Sequence, residues 1–380
     1  MIIAHLDLDA FFAAVEELED PRLRTKPLVV GGDPKGRGVV ATANYVARRY
    51  GIRSAMSCAE ALRRCPHAFF VRPSRNRYSA YSRTVWDCVR EITPTVERTG
   101  IDEGYLDVGE VASDFGEARA VAEAVQISVR AATSLSCSLG VASCKVVAKI
   151  ASDRRKPGGI TVVRTGQERS FLAPLDIRLL PGVGPHSERR LSAAGIETIG
   201  ALAELDDREL STVLRGKVGR LLRHRAQGID PRALAGPAEA ISISHEETFP
   251  RDVESRTQLY AELNAMAGRV VERLDVLGQA GRTITTKVRY GDFSIRSRSR
   301  TLAEPTDQAE RIGEVACQLL DRALQDRPGA LRLVGVGVSN LVNERQLPLV
   351  DSSELQESSG AAAHAALTVR SEQEDGPHGT

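Results

Sequence analysis

The sequence predicts a mixed α+β chain with more than one domain, and three patterns support this. Strand and helix patterns alternate over residues 1–165, short helical pieces broken by Gly and Pro follow over 166–231, and a second alternating pattern begins at Ile241. A chain of 380 residues is long enough to bury two or more cores. We therefore expect an α/β domain at each end of the chain and a small helical domain between them.

The first domain begins with a strand over residues 1–10, where apolar residues alternate, and a helix over 11–20, where they recur at helical spacing. The same rules predict the later elements in chain order: strands at 26–32 and 37–43, helices at 43–51 and 78–92, a strand pair within 96–108, a helix at 114–135, a strand at 136–142, a helix within 144–155 and a strand at 158–164. The order is β-α, then α-β-β-α-β-α-β.

The second α/β domain follows PRALAGPAEA, whose Pro, Gly and Ala are typical of an exposed linker. Its pattern is a strand at 241–248, a helix near 255–277, strands at 282–290 and 293–302, a helix at 306–325 and a strand at 331–342. This β-α-β-β-α-β order predicts a compact sheet with two helices. Residues 351–380 are polar and rich in Ala, Ser and Glu, so we expect them to be disordered.

The composition is that of a water-soluble globular protein, with 42% hydrophobic and 27% charged residues. No run of about 18 apolar residues suggests a membrane span, and no secretory signal is evident. The six cysteines form no CxxC pair, which favours a reducing compartment. We therefore expect a cytoplasmic protein without a membrane partner, and we assign no catalytic role to its histidines.

The net charge of +1 hides an uneven distribution. The last 30 residues hold six acids and one Arg, so the first 350 carry a net charge of +6. Residues 214–225 contain five Lys or Arg and no acid, and residues 282–300 contain six against Asp292 alone. Local basic stripes of this kind are the electrostatic signature of binding to a phosphate backbone.

Two acidic clusters are the most informative feature: Asp7 and Asp9 in the first strand-to-helix turn, and Asp102 with Glu103 in RTGIDEGYLDV. A carboxylate at the end of an apolar strand is costly unless it pairs or binds a cation. Oxygen ligands without His or Cys suit Mg²⁺, and two such ions can clamp an in-line phosphoryl displacement. Either cluster alone is more often a turn cap; together they predict nucleotidyl transfer.

These clusters, with ATANYVARRYGIRSAMS, KVVAKIASDRRKPGG and LLPGVGPHSERRL, resemble the Y-family DNA polymerases, most closely the DNA polymerase IV-like branch. The resemblance runs from Met1 to about Val342, with the motifs in family order. It implies a right-hand polymerase with a ferredoxin-like palm, small fingers, a helix–hairpin–helix thumb and a C-terminal α/β little finger. The implied boundaries are palm 1–10 and 74–165, fingers 11–73, thumb 166–231, linker 232–241, little finger 242–342 and tail 343–380.

The resemblance implies a catalytic metal site made of Asp7, Asp102 and Glu103. These carboxylates would hold two Mg²⁺ ions, with the backbone oxygen of Leu8 as a further ligand. The implied reaction is template-directed transfer from a dNTP to a primer 3′-hydroxyl, with low fidelity, bypass of damaged bases and no proofreading. We expect Asp9 to support the turn.

The resemblance also implies the nucleotide contacts. Phe12 corresponds to the steric gate, whose ring excludes a ribose 2′-hydroxyl, and its neighbour Phe11 is assigned to packing in the same segment. Tyr45 and Arg48 lie three residues apart and so share a helix face. That face, together with Thr42 and with Lys156 from the palm, would bind the triphosphate, although a basic helix face is more often merely solvated.

Primer–template DNA is the implied partner of a monomeric enzyme. The Pro-Gly-x-Gly turn at Gly182 and Gly184 fits a helix–hairpin–helix that binds a DNA phosphate, and 216–229 resembles a second, degenerate copy with Lys217 and Arg220. A second set of contacts is predicted on one face of a strand, where the period-two stripe comprises Arg296, Arg298 and Arg300. The peptide Gln346–Val350 resembles a sliding-clamp-binding motif that lacks its terminal aromatic.

Two other functions compete with this interpretation. One is a non-catalytic DNA-binding or clamp-associated regulator derived from a polymerase, which the intact acidic and basic motifs disfavour. The other is another two-metal enzyme such as a nucleotide cyclase, which would need neither the hairpin turn nor the Arg stripe. The chain also departs from the family pattern at Gly100 and Gly104, where Ser and Ala are common, and at Ser57, where Pro is common.

Overall fold

A computed structural model describes residues 1–214, 216–236 and 239–343. The chain forms two compact units, the first from Met1 to Ala238 and the second from Glu239 onward. The division falls inside the segment assigned to the linker. None of the helices in the described part of the chain combines the length and apolarity that crossing a bilayer requires.

The first unit contains the predicted alternation of strands and helices. Its elements are β1 (Ile3–Leu8), α1 (Phe11–Glu19), β2 (Leu28–Gly31), β3 (Val40–Ala43), α2 (Tyr45–Arg48), α3 (Cys58–Arg64), β4 (Phe69–Val71), α4 (Arg75–Arg90), β5 (Val96–Arg98), β6 (Glu103–Asp107), α5 (Phe115–Thr133), β7 (Cys137–Ala142), α6 (Lys145–Ser152), β8 (Ile160–Val162), α7 (Glu168–Leu172), α8 (Pro185–Ala193), α9 (Ile199–Glu204), α10 (Asp207–Val213) and α11 (Gly216–Ala226). The sequence patterns had not indicated α3 and β4.

A sheet with the order β5-β6-β1-β7-β8 forms the centre of the first unit. Strand β1 is antiparallel to both β6 and β7, and its two faces meet different cores. Ala4 and Leu6 join the core that includes α4 and α5, whereas Ile3 joins the core formed with α6 and the helices α7–α11. Because side chains alternate along a strand, His5 and Asp7 project on the same side as Ile3. Replacing the fully buried Leu6 by Ala would cost about 2–5 kcal/mol.

A smaller sheet, β3-β2-β4, lies after α1 in the chain and has its own core with α3. Strand β4 pairs with β2 in parallel. This explains why a three-residue strand escaped prediction, because its partner residues lie 41 positions earlier in the chain. Asn44 caps α2 by accepting the backbone N–H of Ala47 at 2.9 Å, and it also accepts that of Leu28. The cap therefore ties the short helix to strand β2.

The linker segment is less free than its composition suggests. Residues 230–236 have no regular secondary structure. Asp230 is nevertheless buried, and its carboxylate forms a bidentate ion pair with the Arg232 guanidinium. The backbone N–H of Ala235 donates to Glu97 at 2.6 Å, and Glu97 is also paired with the buried Lys145. The beginning of the linker is therefore fastened to strand β5.

The second unit has the predicted β-α-β-β-α-β order. Its elements are β9 (Ser242–Val253), α12 (Arg256–Leu277), β10 (Gln279–Tyr290), β11 (Ile295–Thr306), α13 (Ala309–Asp326) and β12 (Leu331–Asn343). The sheet order is β11-β10-β12-β9, and the two helices cover one face to form the core of this unit. The other face is open and carries mainly small and hydroxyl side chains, with Gly335 and Gly337 on the strand β12, together with the ion pair between Lys287 and Glu246.

Candidate active site

The two acidic clusters meet at one end of the central sheet. Strands β1 and β6 pair so that Asp7 lies opposite Glu103, and residues opposite each other in an antiparallel pair project on the same side. The backbone N–H of Leu8 donates to the carbonyl of Asp102 at 2.9 Å, which fixes Asp102 beside Asp7. Residues almost a hundred positions apart are thus brought together by the register of the strands.

A cleft of about 200 Å³ opens at this end of the sheet. It is lined by most of the predicted catalytic and nucleotide-binding residues, namely Asp7, Leu8, Phe11, Phe12, Thr42, Arg48, Asp102 and Lys156, together with Ala10, Ala41 and Ser54. Of the other predicted site residues, Tyr45 lines an adjoining cavity, and Glu103 does not line the cleft.

The carboxylates differ in their electrostatic environment. Burial raises the pKa of Asp7, although Lys156 opposes the shift, and burial likewise raises the pKa of Asp102. The neighbouring His5 and Lys149 lower the pKa of Glu103 to about 2. Burial therefore disfavours the ionised forms of Asp7 and Asp102, whereas hydrogen bonds and nearby charge favour the ionised form of Glu103.

Lysine side chains hold two of these acids. Lys156 Nζ lies 2.7 Å from Asp7 Oδ1 and 2.6 Å from Asp153 Oδ1, and Lys149 pairs with Glu103. Burial alone would lower the pKa of Lys156, but Asp7 and Asp153 outweigh it and raise that pKa. In the described ranges, no group of three His, Cys, Asp or Glu side chains is arranged to hold a metal ion. The donors at the cleft itself are carboxylate oxygens, which fit a hard divalent cation.

Helix α2 presents the cationic side of the cleft. The Arg48 guanidinium lies over the Tyr45 ring at 4.9 Å, and its Nε donates to the Ala43 carbonyl at 2.9 Å. Burial, followed by the charge of Asp9, raises the pKa of Tyr45 to about 12, so its hydroxyl is a proton donor at neutral pH. Arg48 and Tyr45 thus share one helix face.

Phe12 belongs to an aromatic stack that sequence reasoning did not find. Its ring lies parallel to that of Tyr78, with the centroids 4.1 Å apart and the planes 11° from parallel. The Tyr78 hydroxyl donates to Glu16 at 2.6 Å, and Arg77 pairs with the same carboxylate at 2.8 Å. Helix α4 therefore supports one face of the Phe12 ring through Tyr78. Tyr78 lies within an amphipathic helix, and nothing in that pattern separates it from an ordinary core residue.

Asp9 holds the turn that follows β1. Its carboxylate accepts the hydroxyls of Ser136 and Ser138 at 2.7 and 2.8 Å and the backbone N–H of Gly158 at 2.8 Å. The next residue, Ala10, has a φ of 49° in the left-handed region and precedes the first turn of α1. Asp9 is structural, as the sequence analysis expected.

His5 and Lys149 are further residues that sequence reasoning missed. His5 is buried, with Nδ1 2.9 Å from Ser152 Oγ and Nε2 3.5 Å from Glu103 Oε2. A usable signal existed, because His5 is two residues before Asp7 in a strand and therefore shares its face. Lys149 lies on α6, and its proximity to Glu103 depends on how that helix packs on β1, which sequence periodicity does not reveal.

The predicted DNA contacts of the first unit lie at the surface of the helices α8 and α11. Gly182 has a φ of 101°, which glycine adopts readily, and Gly184 immediately precedes α8. Lys217 and Arg220 are exposed on α11. Two other basic residues of the same helix turn inward instead: Arg225 donates to the Pro181 carbonyl and Arg223 to the Leu205 carbonyl.

The arginine stripe of β11 lies on one face of that strand. Arg296, Arg298 and Arg300 pair with Val288, Thr286 and Ile284, which are fully buried beneath the helices. The stripe therefore lies on the helix side of an edge strand, where Arg298 pairs with Asp326 and Arg300 donates to Gln318 at 2.7 Å. Arg296 is exposed. The predicted clamp peptide Gln346–Val350 lies outside the described residues.

Comparison with known families matches three consecutive parts of the chain. Residues 6–153 match the impB/mucB/samB family, residues 178–230 match the DNA polymerase-iota thumb domain, and residues 240–349 match the impB/mucB/samB family C-terminal domain.

Curated relatives are similar over most of the chain. DNA polymerase IV of Streptomyces coelicolor is 42% identical over 346 residues, covering 90% of this chain and 72% of that protein. DNA polymerase IV of Methanoculleus marisnigri is 41% identical over 343 residues, covering 90% of this chain and 94% of that protein.

Solved structures share the fold. A Y-family DNA polymerase chimera, Dbh-Dpo4(243-245)-Dbh, superposes with a TM-score of 0.83 at 27% identity, covering 90% of this chain and 99% of that one. DinB from Sulfolobus solfataricus has a TM-score of 0.62 at 27% identity with the same coverage. These neighbours and the thumb match confirm the predicted multidomain α+β, right-hand fold.

The family matches and the curated relatives identify the class as DNA-directed DNA polymerases, and the acidic cleft with its flanking arginine and lysine fits that class. The chain belongs to the Y family of DNA polymerases, in its polymerase IV-like branch, and acts in translesion synthesis. Membership of this family implies chemistry with divalent metal ions. The regulator alternative is not favoured.

Proposed function

We propose that Asp7, Asp102 and Glu103, with the Leu8 carbonyl, hold two Mg²⁺ ions for nucleotidyl transfer. The observation that carries this proposal is the single cleft in which Asp7 and Asp102 face Arg48 and Lys156. Bound divalent ions would neutralise the triphosphate and the charge that develops during displacement of pyrophosphate. The raised pKa values of Asp7 and Asp102 fit this assignment, because a buried carboxylate is stabilised by a cation.

In this proposal Lys156 and Lys149 balance the charge of Asp7 and Glu103 while no metal ion is bound. Lys156 neutralises Asp7 before substrate binds and then turns to the incoming triphosphate, where its ammonium is a compact positive charge. Lys149 keeps Glu103 ionised and oriented from the side of α6. Arg48 and Thr42 bind phosphate oxygens in the cleft, and Tyr45 does so from the adjoining cavity.

Selection of the sugar rests on Phe12. Its ring lines the cleft, and its stack on Tyr78 leaves it little freedom to move aside. A rigid ring rejects an added hydroxyl by steric clash, so deoxyribonucleotides are preferred over ribonucleotides. Phe11, which is almost wholly buried, fixes the helix start beside it.

The DNA contacts are proposed at the hairpin turn and at two basic surfaces. Gly182 and Gly184 bind a phosphate through backbone N–H groups, and Lys217 and Arg220 add charge nearby. On β11 the contact is strongest at Arg296, since Arg298 and Arg300 must first leave their partners on α13. We further propose a monomer in the cytoplasm that binds a sliding clamp weakly through Gln346–Val350; loss of clamp binding on deleting those five residues tests the last point.

The experiment is extension of a labelled primer–template with dNTPs and Mg²⁺, on undamaged and lesion-containing templates. We expect distributive extension by the wild type and a loss of at least about a hundredfold for Asp102→Ala, because an electrostatic contact to the reacting groups is removed. Asp87→Ala is the matched control, since Asp87 is an exposed acid on α4.

DNA binding is measured in parallel, and we expect Asp102→Ala to retain it. A folded wild type that binds DNA but extends no primer would contradict the polymerase assignment. If Asp102→Ala loses extension because it no longer binds DNA, the metal-site assignment is wrong.

A further inference from the structure

The tip of the β10–β11 hairpin carries an exposed aromatic residue, Phe293. The turn is closed by two backbone hydrogen bonds: the Tyr290 N–H donates to the Ser294 carbonyl and the Phe293 N–H donates to the Tyr290 carbonyl, both at 3.0 Å. Asp292 Oδ1 accepts the Ser294 N–H at 3.0 Å. The turn is thus well defined, yet 61% of Phe293 is exposed.

The backbone of Phe293 is in a conformation that disfavours a large side chain. Its φ is 65°, in the left-handed region, which costs a residue with a Cβ about 1–2 kcal/mol relative to the right-handed region. Glycine is the usual residue at such a position of a hairpin loop. The turn does contain a glycine, but Gly291 lies two positions earlier and has no positive φ. Stability of the turn therefore does not explain the phenylalanine.

One arginine lies on this ring, and two more belong to the same hairpin region. The Arg332 guanidinium carbon lies 4.5 Å from the centroid of the Phe293 ring and covers one face of it. Arg327 lies over the Tyr290 ring at 4.1 Å and pairs with Asp292 at 3.0 Å, which neutralises the acid of the turn. Arg296 is exposed three residues beyond Phe293. An exposed ring with an arginine on one face and further arginines nearby matches the pattern of base stacking with phosphate attraction.

We propose that Phe293 is a stacking platform for an unpaired base of single-stranded DNA. The base lies on the ring face opposite Arg332, and Arg332 and Arg296 attract the adjacent phosphates. The local positive charge favours nucleic acid over an apolar protein partner. The proposal rests on the DNA binding proposed above and adds a site that recognises a base without reading its identity.

Phe293→Gly separates this role from folding, because glycine relieves the backbone strain while it removes the ring. Binding of the full chain is measured by fluorescence anisotropy with two DNAs of equal length, a blunt duplex and a primer–template with a single-stranded template overhang. Because stacking on an aromatic ring is worth about 1–3 kcal/mol per base, we expect about tenfold weaker binding of the overhang DNA. Binding of the blunt duplex is unchanged, and the melting temperature does not fall.

Two further variants complete the test. Phe293→Trp keeps a ring and should retain the affinity for the overhang DNA. Val276→Ala removes an exposed apolar side chain from α12, 72% exposed, and should change neither affinity.

Three outcomes overturn the proposal. The first is unchanged overhang binding by a folded Phe293→Gly variant, and the second is an equal loss on both DNAs. The third is a Phe293→Gly variant that binds both DNAs normally but no longer binds a purified sliding clamp, which would make the tip a protein-docking site. A wild type that binds neither DNA would instead contradict the DNA contacts of the previous section, and this proposal with them.

Discussion

Single side chains at the cleft act through neighbours that the reaction never touches. Phe12 is the clearest case, since its ring rests on Tyr78, and Tyr78 is held in turn by Glu16 and Arg77. Burial, followed by the hydrogen bond with Glu16, raises the pKa of Tyr78. The hydroxyl is therefore protonated at neutral pH and donates to Glu16.

This chain of contacts predicts that sugar selection depends on both rings. Phe12→Ala should admit ribonucleotides, and Tyr78→Ala should admit them to a smaller extent, because Phe12 then loses its support. The preference for dNTP over rNTP in single-nucleotide insertion measures the effect. Tyr81→Ala is the matched control, because Tyr81 belongs to the same helix but its hydroxyl donates to Glu19, whereas Tyr78 is the tyrosine that stacks on Phe12. Unchanged sugar selection in Phe12→Ala would refute the gate.

Gly104 is a second residue whose importance comes from its neighbour. A Cβ at this position would lie 2.7 Å from Cη2 of Trp86 and 2.8 Å from the Glu97 carbonyl, too close for either to remain in place. The alanine that is common in the family at this position has no room here, because Trp86 fills the space.

We therefore predict that Gly104→Ala lowers the free energy of unfolding by about 1–3 kcal/mol, the usual effect of overpacking a core. Gly100→Ala provides the comparison four residues earlier, since its Cβ would meet nothing closer than 3.4 Å. Denaturant titration of the two variants measures both values. Equal stability of the two would show that Trp86 moves aside easily.

At the scale of elements, Asp9 joins three parts of the fold. It connects the turn between β1 and α1 to Ser136 and Ser138 at the start of β7, and to Gly158 before β8. Since Asp7 is the last but one residue of β1, these bonds also fix the edge of the cleft.

Asp9→Asn should lower the free energy of unfolding by about 1–3 kcal/mol, because an amide N–H₂ would face donors and leave one unpaired. Extension activity should fall with it, since the turn carries the cleft. Chemical denaturation and primer extension measure the two effects, with Asp87→Asn as the exposed control. A variant as stable as the wild type would show that the serines reorient without cost.

The elements also show what periodicity can and cannot predict. The strand and helix order of both α/β domains followed from apolar spacing, which is clearest in α5 and α13, where each helix buries one regularly spaced set of side chains. The small strand β4 and the helix α3 escaped prediction. For β4 the reason is length, because three residues are too few to show a periodic pattern. The sequence also did not predict which face of β11 carries its arginines. Alternation places Arg296, Arg298 and Arg300 on one face of the strand, but only the tertiary structure shows that this face is the one covered by the helices.

The sequence also drew attention to Asp7, Asp102 and Glu103, because a carboxylate at the end of an apolar strand is costly unless it is paired. The structure places these residues near one another, and their role as metal ligands stays a prediction. Their lysine partners were not predictable, since Lys149 and Lys156 reach them across the fold.

At the scale of the whole molecule, each unit has an apolar core of its own. Leu6 belongs to a core of the first unit, and Leu263 on α12 belongs to the core of the second; both are fully buried. Cooperative unfolding in one step is a property of single cores, and chains with several domains often depart from it.

Calorimetry should therefore show more than one unfolding step. Leu263→Ala, which removes about 2–5 kcal/mol from one core, should move one step to lower temperature and leave the other in place. Leu6→Ala should do the reverse. A single transition whose van't Hoff and calorimetric enthalpies agree, shifted as a whole by either variant, would contradict this prediction.

Trp86 has one more consequence, because it is the only tryptophan in the chain. It is fully buried, touches the position of Gly104, and lies under the Arg98 guanidinium at 5.6 Å. Indole emission depends on nearby charge and on access of quenchers, so the intrinsic fluorescence of this polymerase reports on the strand that begins with Glu103. If nucleotide binding in the cleft shifts that strand, we expect the emission of Trp86 to change, and stopped-flow spectroscopy would follow the change with no dye attached to the protein or the DNA.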